Sequence, residues 1–199
     1  MAPRLTLQFA GLEGVAMKRV VVFGTTGSGK SWLAERLAAR TGLRVVELDG
    51  LYWGRDWQPA PLELFRHRVD CEIRDGGPDD GWIVVGIYGQ VRDLTWSAAD
   101  TLVWLDLPRP LVMGRLLRRT LRRTLTREEL WGTGNRETFG QAFFSRQSIL
   151  LWAWRTHGLN RDRFERDCRD LPPDKTVIRL RSAKEVERFL EKVPSLRSG

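Results

Sequence analysis

The sequence predicts an α/β protein, built as a three-layer, doubly wound parallel sheet of five strands. Three observations carry that expectation. Five short, mostly apolar runs rich in β-branched residues recur along the 199 residues, at 20–23, 44–48, 82–86, 101–106 and 176–180, with the near-continuous apolar character of strands buried on both faces. Segments of helical spacing separate them, the alternation that builds a parallel sheet covered on both sides. Between the first run and the first helical segment stands Gly24-Thr25-Thr26-Gly27-Ser28-Gly29-Lys30-Ser31, which fits the phosphate-binding pattern G-x-x-x-x-G-K-[ST].

Residues 1–16 carry no useful periodicity, and Met17-Lys18-Arg19 opens the first strand cleanly. The expectation is a disordered extension ahead of a natural start at Met17, with an extra strand as the alternative. Val20-Val21-Val22-Phe23 then runs into the loop, Trp32-Leu33-Ala34-Glu35-Arg36-Leu37-Ala38 follows with helical spacing, and Gly42 supplies a stop. Strand, loop and helix stand in the order that phosphate binding requires. Glycines let successive N–H groups curl around one anion, and the helix after Gly29 turns the positive end of its dipole toward it. Lys30 is then placed to reach the β- and γ-phosphates and Ser31 to take a position on Mg²⁺. The nucleotide contacts expected are Gly24, Thr25, Thr26, Gly27, Ser28, Gly29, Lys30 and Ser31, with ATP and Mg²⁺ as the cofactors.

The second strand ends at Asp49. Residues 50–60 read as a loop carrying Tyr52, Trp53 and Trp57, which suits a flat ligand or a cover over the core. A helix over 61–74 closes at Asp75-Gly76-Gly77-Pro78. After the third and fourth strands, a long helix from 108 to about 124 leads to the glycine-rich segment Trp131-Gly132-Thr133-Gly134-Asn135. A helix over about 138–157 and a short one near 162–169 precede the last strand. The final helix opens on the capping box Ser182-Ala183-Lys184-Glu185.

Composition narrows the function classes. With 42% hydrophobic and 29% charged residues the chain has ordinary globular character. No apolar run approaches the length of a transmembrane helix and no secretory signal is visible, so no membrane partner is expected. Cys71 and Cys168 make neither a disulfide framework nor a zinc site, and a reducing, cytoplasmic setting is the expectation. The net charge of +8 comes from 33 basic residues of which only five are lysine, so where the arginines sit says more than the total.

Asp49 and Asp106 end strands, where ligands of such sheets bind; each is a candidate for Mg²⁺ or its waters, or simply a cap on the next helix. Arg115, Arg118, Arg119, Arg122 and Arg123 fall within an arc of about 140° at ~100° per residue, with Met113, Leu116, Leu117 and Leu121 expected on the opposite face. No acid is interleaved at i+3 or i+4 to offset their repulsion. Such a face suits a polyanion, either a triphosphate or a nucleic-acid backbone; a plain exposed face is the alternative. Arg146 lies within the apolar stripe of Phe139, Phe143, Ile149, Leu150 and Ala153, which calls for an anionic partner or a buried salt bridge. His157 reads as a satisfied core histidine, and Trp32, Trp104 and Trp154 as core. There is no nucleophile–histidine–acid pattern. The lack of an evident base suits transfer to an acceptor that is already an anion, which rests on positioning and charge neutralisation.

These residues together resemble a family of small P-loop proteins related to adenylate kinase, the adenylate kinase-like or topology modulation proteins. The resemblance is carried by residues 24–31, Leu48-Asp49 with Trp53 and Trp57, Gly86 with Tyr88, Val91-Arg92-Asp93-Leu94 and Trp104-Leu105-Asp106-Leu107-Pro108-Arg109. It continues through Leu125-Thr126-Arg127-Glu128-Glu129-Leu130-Trp131, Gly134-Asn135-Arg136-Glu137, Ser145-Arg146 and Ser148-Ile149-Leu150. It implies a nucleotide-kinase-like single domain over 17–199 with a short lid near 125–137. Arg136 and Arg146 match the arginines that grip the transferring phosphoryl group. Arg119, Arg122 and Arg123 lie on the approach to the lid, and Arg115 falls on the nucleotide side. Arg92, with Asp49, Tyr52, Trp53 and Tyr88, is expected to face the acceptor. The implied activity is transfer of the γ-phosphoryl group of ATP to a small phosphorylated acceptor, a nucleoside monophosphate. The alternative is an ATP-binding regulatory module that touches nucleic acid through the arginine helix. One departure bears on the metal: relatives usually place an aspartate before the glycine of the third strand and an asparagine after it, where this chain has Val85 and Ile87. Either Asp49 or Asp106 then supplies the carboxylate, or metal-assisted transfer is weakened.

Overall fold

The computed structural model describes residues 17–75, 81–126, 128–136 and 148–193; the expectations for residues 1–16, for Arg146 and for the helical segment before 148 lie outside them. The strands are β1 (Arg19–Gly24), β2 (Arg44–Glu47), β3 (Trp82–Val85), β4 (Thr101–Leu105), the two-residue pair β5 (Glu129–Leu130) and β6 (Asn135–Arg136), and β7 (Thr176–Leu180). Five of them form one sheet in the order β2-β3-β1-β4-β7, every neighbouring pair parallel. Val22 sits between Val85 and Val103 in register, so β-branched residues stack across the centre, where a pleated surface suits them. The fold class is the one the sequence predicts.

Both faces of the sheet are covered. On one face α1 (Lys30–Thr41) brings Leu33, Ala34 and Leu37 onto Val20, Val22, Ile83 and Val85, while α7 (Ala183–Lys192) adds Val186 and Phe189. On the other, α3 (Leu62–Arg74), α4 (Arg92–Ala98) and α6 (Ile149–Arg169) lay Phe65, Val69, Trp96, Phe164 and Cys168 on Val21, Phe23, Val84 and Trp104. Each such apolar side chain, fully buried, contributes roughly 1.5–3 kcal/mol, and the sheet is thereby a rigid base for the loops at its carboxyl end. The punctuation expected from sequence is present. Gly42 ends α1 at φ 71°, its N–H donating to the Ala38 carbonyl, and the Ser182 hydroxyl accepts from the Glu185 N–H at the start of α7.

Several expectations are corrected. Residues 48–52 form a short helix, α2 (Leu48–Tyr52), rather than the end of a strand and a loop. The helical segments expected up to 157 and over 162–169 are one continuous α6, because Ala153, His157, Phe164 and Cys168 fall on a single buried line. On α5 (Arg109–Thr126) the inward line is Val112, Leu116 and Thr120, so Leu117 and Leu121 are exposed. Trp104 is core, but Trp32 and Trp154 are 46% and 51% exposed; each ring instead lies under a guanidinium, Arg36 and Arg109 respectively. His157 is buried, with Nε2 3.1 Å from the Leu107 carbonyl, as expected. No helix among the described residues is long and apolar enough to cross a membrane.

Candidate active site

The loop between β1 and α1 takes the shape its glycines permit. Gly24, Gly27 and Gly29 all have positive φ (151°, 80° and 94°). At Gly27 there is no space either: a Cβ there would stand 2.8 Å from Leu116 Cβ and 2.9 Å from the Val112 carbonyl. The loop therefore rests on α5, and Arg115 ties it down further by donating from its guanidinium to the Ser28 carbonyl at 3.1 Å. Ser28 is fully buried and its hydroxyl has no hydrogen-bond partner among the described residues.

Lys30 folds back beneath the loop, Nζ donating to the Thr25 carbonyl at 3.1 Å. Burial lowers its pKa from the ordinary lysine value; Asp49 opposes that fall, Arg119 reinforces it and Glu47 opposes it. Arg119 is thus near the ammonium, as a second positive charge on the same anion would be. Glu47, the last residue of β2, has its carboxyl pKa raised by burial, an effect opposed by the nearby Ser31 hydroxyl and reinforced by the charge of Asp49. Ser31, Glu47, Asp49 and Lys30 thereby converge at the carboxyl end of β2 and the start of α1.

Asp49 meets the aromatics expected on the acceptor side. Its Oδ1 accepts a 2.6 Å hydrogen bond from the Tyr88 hydroxyl. Burial, the Asp49 charge and the hydrogen bond to Asp49 push the Tyr88 phenol upward, so Tyr88 stays a donor. Tyr52 packs against Trp53, Phe65 and Tyr88 with ring centroids 4.9, 5.0 and 4.6 Å away. Tyr52, Trp53, Tyr88 and Asp49, expected on the acceptor side, do form one wall.

Other expected residues go elsewhere. The Asp106 carboxylate is 3% exposed and taken by arginines: Arg179 at 2.7 Å, Arg161 at 3.1 Å and Arg181 at 4.0 Å. Arg92 is paired with Asp167 of α6 at 2.6 Å. The arginine face of α5 is divided, with Arg115 on the loop, Arg119 by Lys30, and Arg122 and Arg123 beside Glu128 at 2.9 and 3.8 Å. An acid from beyond the helix does what the sequence within the helix does not. Arg136 is exposed on the hairpin of β5 and β6.

Two residues were missed from sequence. Glu47 hides in a strand, and its signal was an acid ending an otherwise apolar run at the sheet edge where ligands bind. Asn135 is buried, its side chain bonded to the aromatic loop at Gly54 and Trp57; no local pattern announces a contact across 78 or more residues of chain. A recess lined by Arg55, Asp56, Gln58, Leu64 and Arg68 includes no residue of the phosphate loop.

No protein-family model matches the sequence, and no curated relative does. Among solved structures the chain is similar to a shikimate kinase from Acinetobacter baumannii in complex with shikimate, at 15% identity and a TM-score of 0.51, over 89% of this chain and 91% of that one. It also matches a sugar kinase from Janibacter sp. HTCC2649, at 20% identity and a TM-score of 0.49, over 89% and 94% of the two chains. A gluconokinase from Sinorhizobium meliloti 1021 matches at 16% identity and a TM-score of 0.45, over 88% and 91%. At such an identity the likeness to the shikimate kinase is one of fold alone.

Proposed function

We propose that the protein is an ATP·Mg²⁺-dependent phosphotransferase acting on a small-molecule acceptor. The observation that carries this is the convergence of Lys30, Arg119, Ser31 and Glu47 under and beside a glycine-shaped loop. Their chemistry fits the nucleotide. Lys30 and Arg119 neutralise the β- and γ-phosphates, Arg115 braces the loop through the Ser28 carbonyl, and the backbone N–H groups of 25–31 hold the phosphate oxygens. The donor set also fits Mg²⁺, which takes one or two protein oxygens and keeps its waters: the Ser31 hydroxyl and the Glu47 carboxylate would hold it. When bound, the ion supplies charge neutralisation between the β- and γ-phosphates. Asp106 is left out of this set because its oxygens already serve arginines. Arg136 and Arg146 are assigned to the transferring group by the resemblance, with Arg123 a looser candidate on the approach to the lid.

The resemblance to adenylate kinase-like proteins makes a nucleoside monophosphate the first acceptor to test. That reading needs cations on the acceptor wall, and Arg92 would have to exchange Asp167 for the acceptor phosphate. A specific observation favours a second reading, a hydroxyl-bearing acceptor. Arg66 is held by both oxygens of Asp93, Arg92 by Asp167 and Arg68 by the Leu51 carbonyl, while Asp49 offers a carboxylate beside Lys30 that could accept a hydroxyl proton. The division of the α5 arginines weighs against a nucleic-acid-binding regulatory module.

The test is ADP release from ATP·Mg²⁺ with nucleoside monophosphates, with sugars and hydroxy acids, and with no acceptor. Phosphorus NMR then identifies the product as an anhydride or an ester. Acceptor-dependent ADP formation that disappears in Lys30→Met supports the proposal. Absence of any acceptor dependence, together with salt-steep binding to DNA or RNA, would overturn it in favour of the regulatory module.

A further inference from the structure

The aromatic loop and the lid hairpin are 78 residues apart in sequence, and the Asn135 side chain hydrogen-bonds one to the other. Asn135, 4% exposed, donates from Nδ2 to the Gly54 carbonyl at 2.7 Å and accepts from the Trp57 N–H at Oδ1, 3.1 Å. The loop it joins is closed on itself, with Gly54 N–H donating to Gln58 and Ala60 N–H to Tyr52. The amide of Asn135 thus supplies one donor and one acceptor to a turn, as a neighbouring strand would. Around it the contact is packed. Trp131 meets Trp57 edge-on with centroids 5.9 Å apart and covers Gly50, where a Cβ would stand 3.4 Å from its ring. Among the described residues the non-glycine positions of positive φ are Asp56, Trp57 and Trp131, at 54°, 57° and 53°, and all three lie at this junction. The backbone adopts a disfavoured conformation on both sides of the same contact, which is what a mutually determined fit requires.

We propose that Asn135 is a positioning residue that joins the lid hairpin to the acceptor wall, so that Arg136 and the aromatic loop move as one body. Side chains alternate along a strand, so with Asn135 held in the loop, Arg136 is directed to the opposite face. The loop side is continuous with the acceptor wall, since Trp57 packs on Trp53 at 5.9 Å and Trp53 on Tyr52 at 4.9 Å. An acceptor that orders the wall therefore orders Arg136, and a phosphate that draws in Arg136 shapes the wall. The assignment of the hairpin to phosphoryl transfer rests on the function proposed above; the joining of hairpin to loop does not.

Hydrogen exchange on the full chain, read by mass spectrometry, separates the two. Without ligand, segments 51–60 and 129–136 should exchange together in the native protein. In Asn135→Ala and in Asn135→Asp both should exchange roughly tenfold or more faster, as the loss of these hydrogen bonds requires, with 30–41 unchanged. Asn135→Asp is the decisive variant because it keeps the volume and the acceptor while removing the donor to Gly54. Native exchange in Asn135→Asp beside fast exchange in Asn135→Ala would make the residue a packing contact and overturn the proposal, as would native exchange in both. With a non-hydrolysable ATP analogue and Mg²⁺, the native chain should slow at 51–60 as well as at 24–31, and Asn135→Asp at 24–31 alone. Equal slowing of 51–60 in that variant would also overturn it. Lack of slowing at 24–31 in the native chain would sink the kinase reading, leaving the ligand-free comparison to decide this one.

Discussion

Replacing Asp106 by asparagine separates a structural carboxylate from a metal-binding one. The Arg179 side chain is 7% exposed and meets Asp106 through two nitrogens, Nε at 2.9 Å and the terminal nitrogen at 2.7 Å. Removing one partner of a buried pair costs about 3–5 kcal/mol, because the other charge is left without its counter-ion. Two features hold the figure at the lower end. Glu165 also reaches Arg179, at 3.4 Å, and the guanidinium lies 4.0 Å over the Trp104 ring. Arg161 and Arg181 are about half exposed, where such pairs add only about 0–1 kcal/mol. A loss of about 3 kcal/mol, at a urea dependence near 2.5 kcal/mol per molar, moves the unfolding midpoint down by about 1.2 M. The double variant Asp106→Leu with Arg179→Met should recover much of that, since apolar replacement of a whole buried pair is often neutral. The assay is urea unfolding beside a Mg²⁺·ATP titration by calorimetry. A midpoint equal to the native one, with Mg²⁺-dependent nucleotide affinity lost, would refute the reasoning and return Asp106 to the metal.

Gly27→Ala places a Cβ against Leu116 and the Val112 carbonyl at a φ of 80°, so α5 must shift. The left-handed backbone alone costs about 1–2 kcal/mol, and calorimetry should show ATP affinity falling by at least about tenfold for a loop displaced from its phosphates. Lys30→Met should leave the unliganded protein as stable or more stable at pH 7 while abolishing its thermal stabilisation by ATP. Here the sign follows from the lowered pKa of Lys30. The penalty for holding its ammonium buried is present below the folded pKa and disappears as pH rises through the ordinary value of 10.5. The native protein should therefore gain on the variant as pH is raised toward that value in a series of melting curves. A variant that melts lower at pH 7 and still responds to ATP would contradict this.

The sheet and the loop were legible because the signals that encode them are local. A buried parallel strand is an unbroken apolar run, and a phosphate loop needs glycines at fixed spacing next to a helix start. What sequence could not supply depends on distant partners. Gly50 in the middle of LDGLY argues against a helix, at about 1 kcal/mol relative to alanine, yet Gly50 is where Trp131 comes down. Gly158 argues for a break in α6, yet it has open space around it, and the buried line from Ala153 to Cys168 carries the helix through. Trp32 and Trp154 read as core from sequence because large aromatics are usually buried. Their positions on α1 and α6 lie off the buried lines, and arginines cover the rings instead. Likewise Asp106 and Asp49 each follow a strand closely, and distant partners separate them: Arg179 on the neighbouring strand takes Asp106, while Tyr88 donates to Asp49.

The same neighbour-strand reasoning applies to Val85, where the resemblance to adenylate kinase-like proteins leads to the expectation of an aspartate. β2 and β3 are parallel, and Glu47 stands in register with Val85. Paired residues of a parallel sheet send their side chains to the same face, here the face on which Val85 packs with α1. A carboxylate from Glu47, close to Ser31, can therefore serve the place that an aspartate at 85 would serve, while valine keeps the core beneath α1 continuous. The exchange is testable in two steps. Glu47→Val should leave ATP binding without Mg²⁺ unchanged and reduce the enhancement that Mg²⁺ brings by about tenfold, the size of one lost charge-assisted contact of about 1.4 kcal/mol. Adding Val85→Asp in that background should restore a good part of it, because the carboxylate returns to the same face from the adjacent strand. Melting curves on both variants guard against simple unfolding, since Val85 is buried. A folded Glu47→Val protein with undiminished Mg²⁺ dependence would show that Glu47 is a bystander to Ser31 and that the metal is held from Asp49.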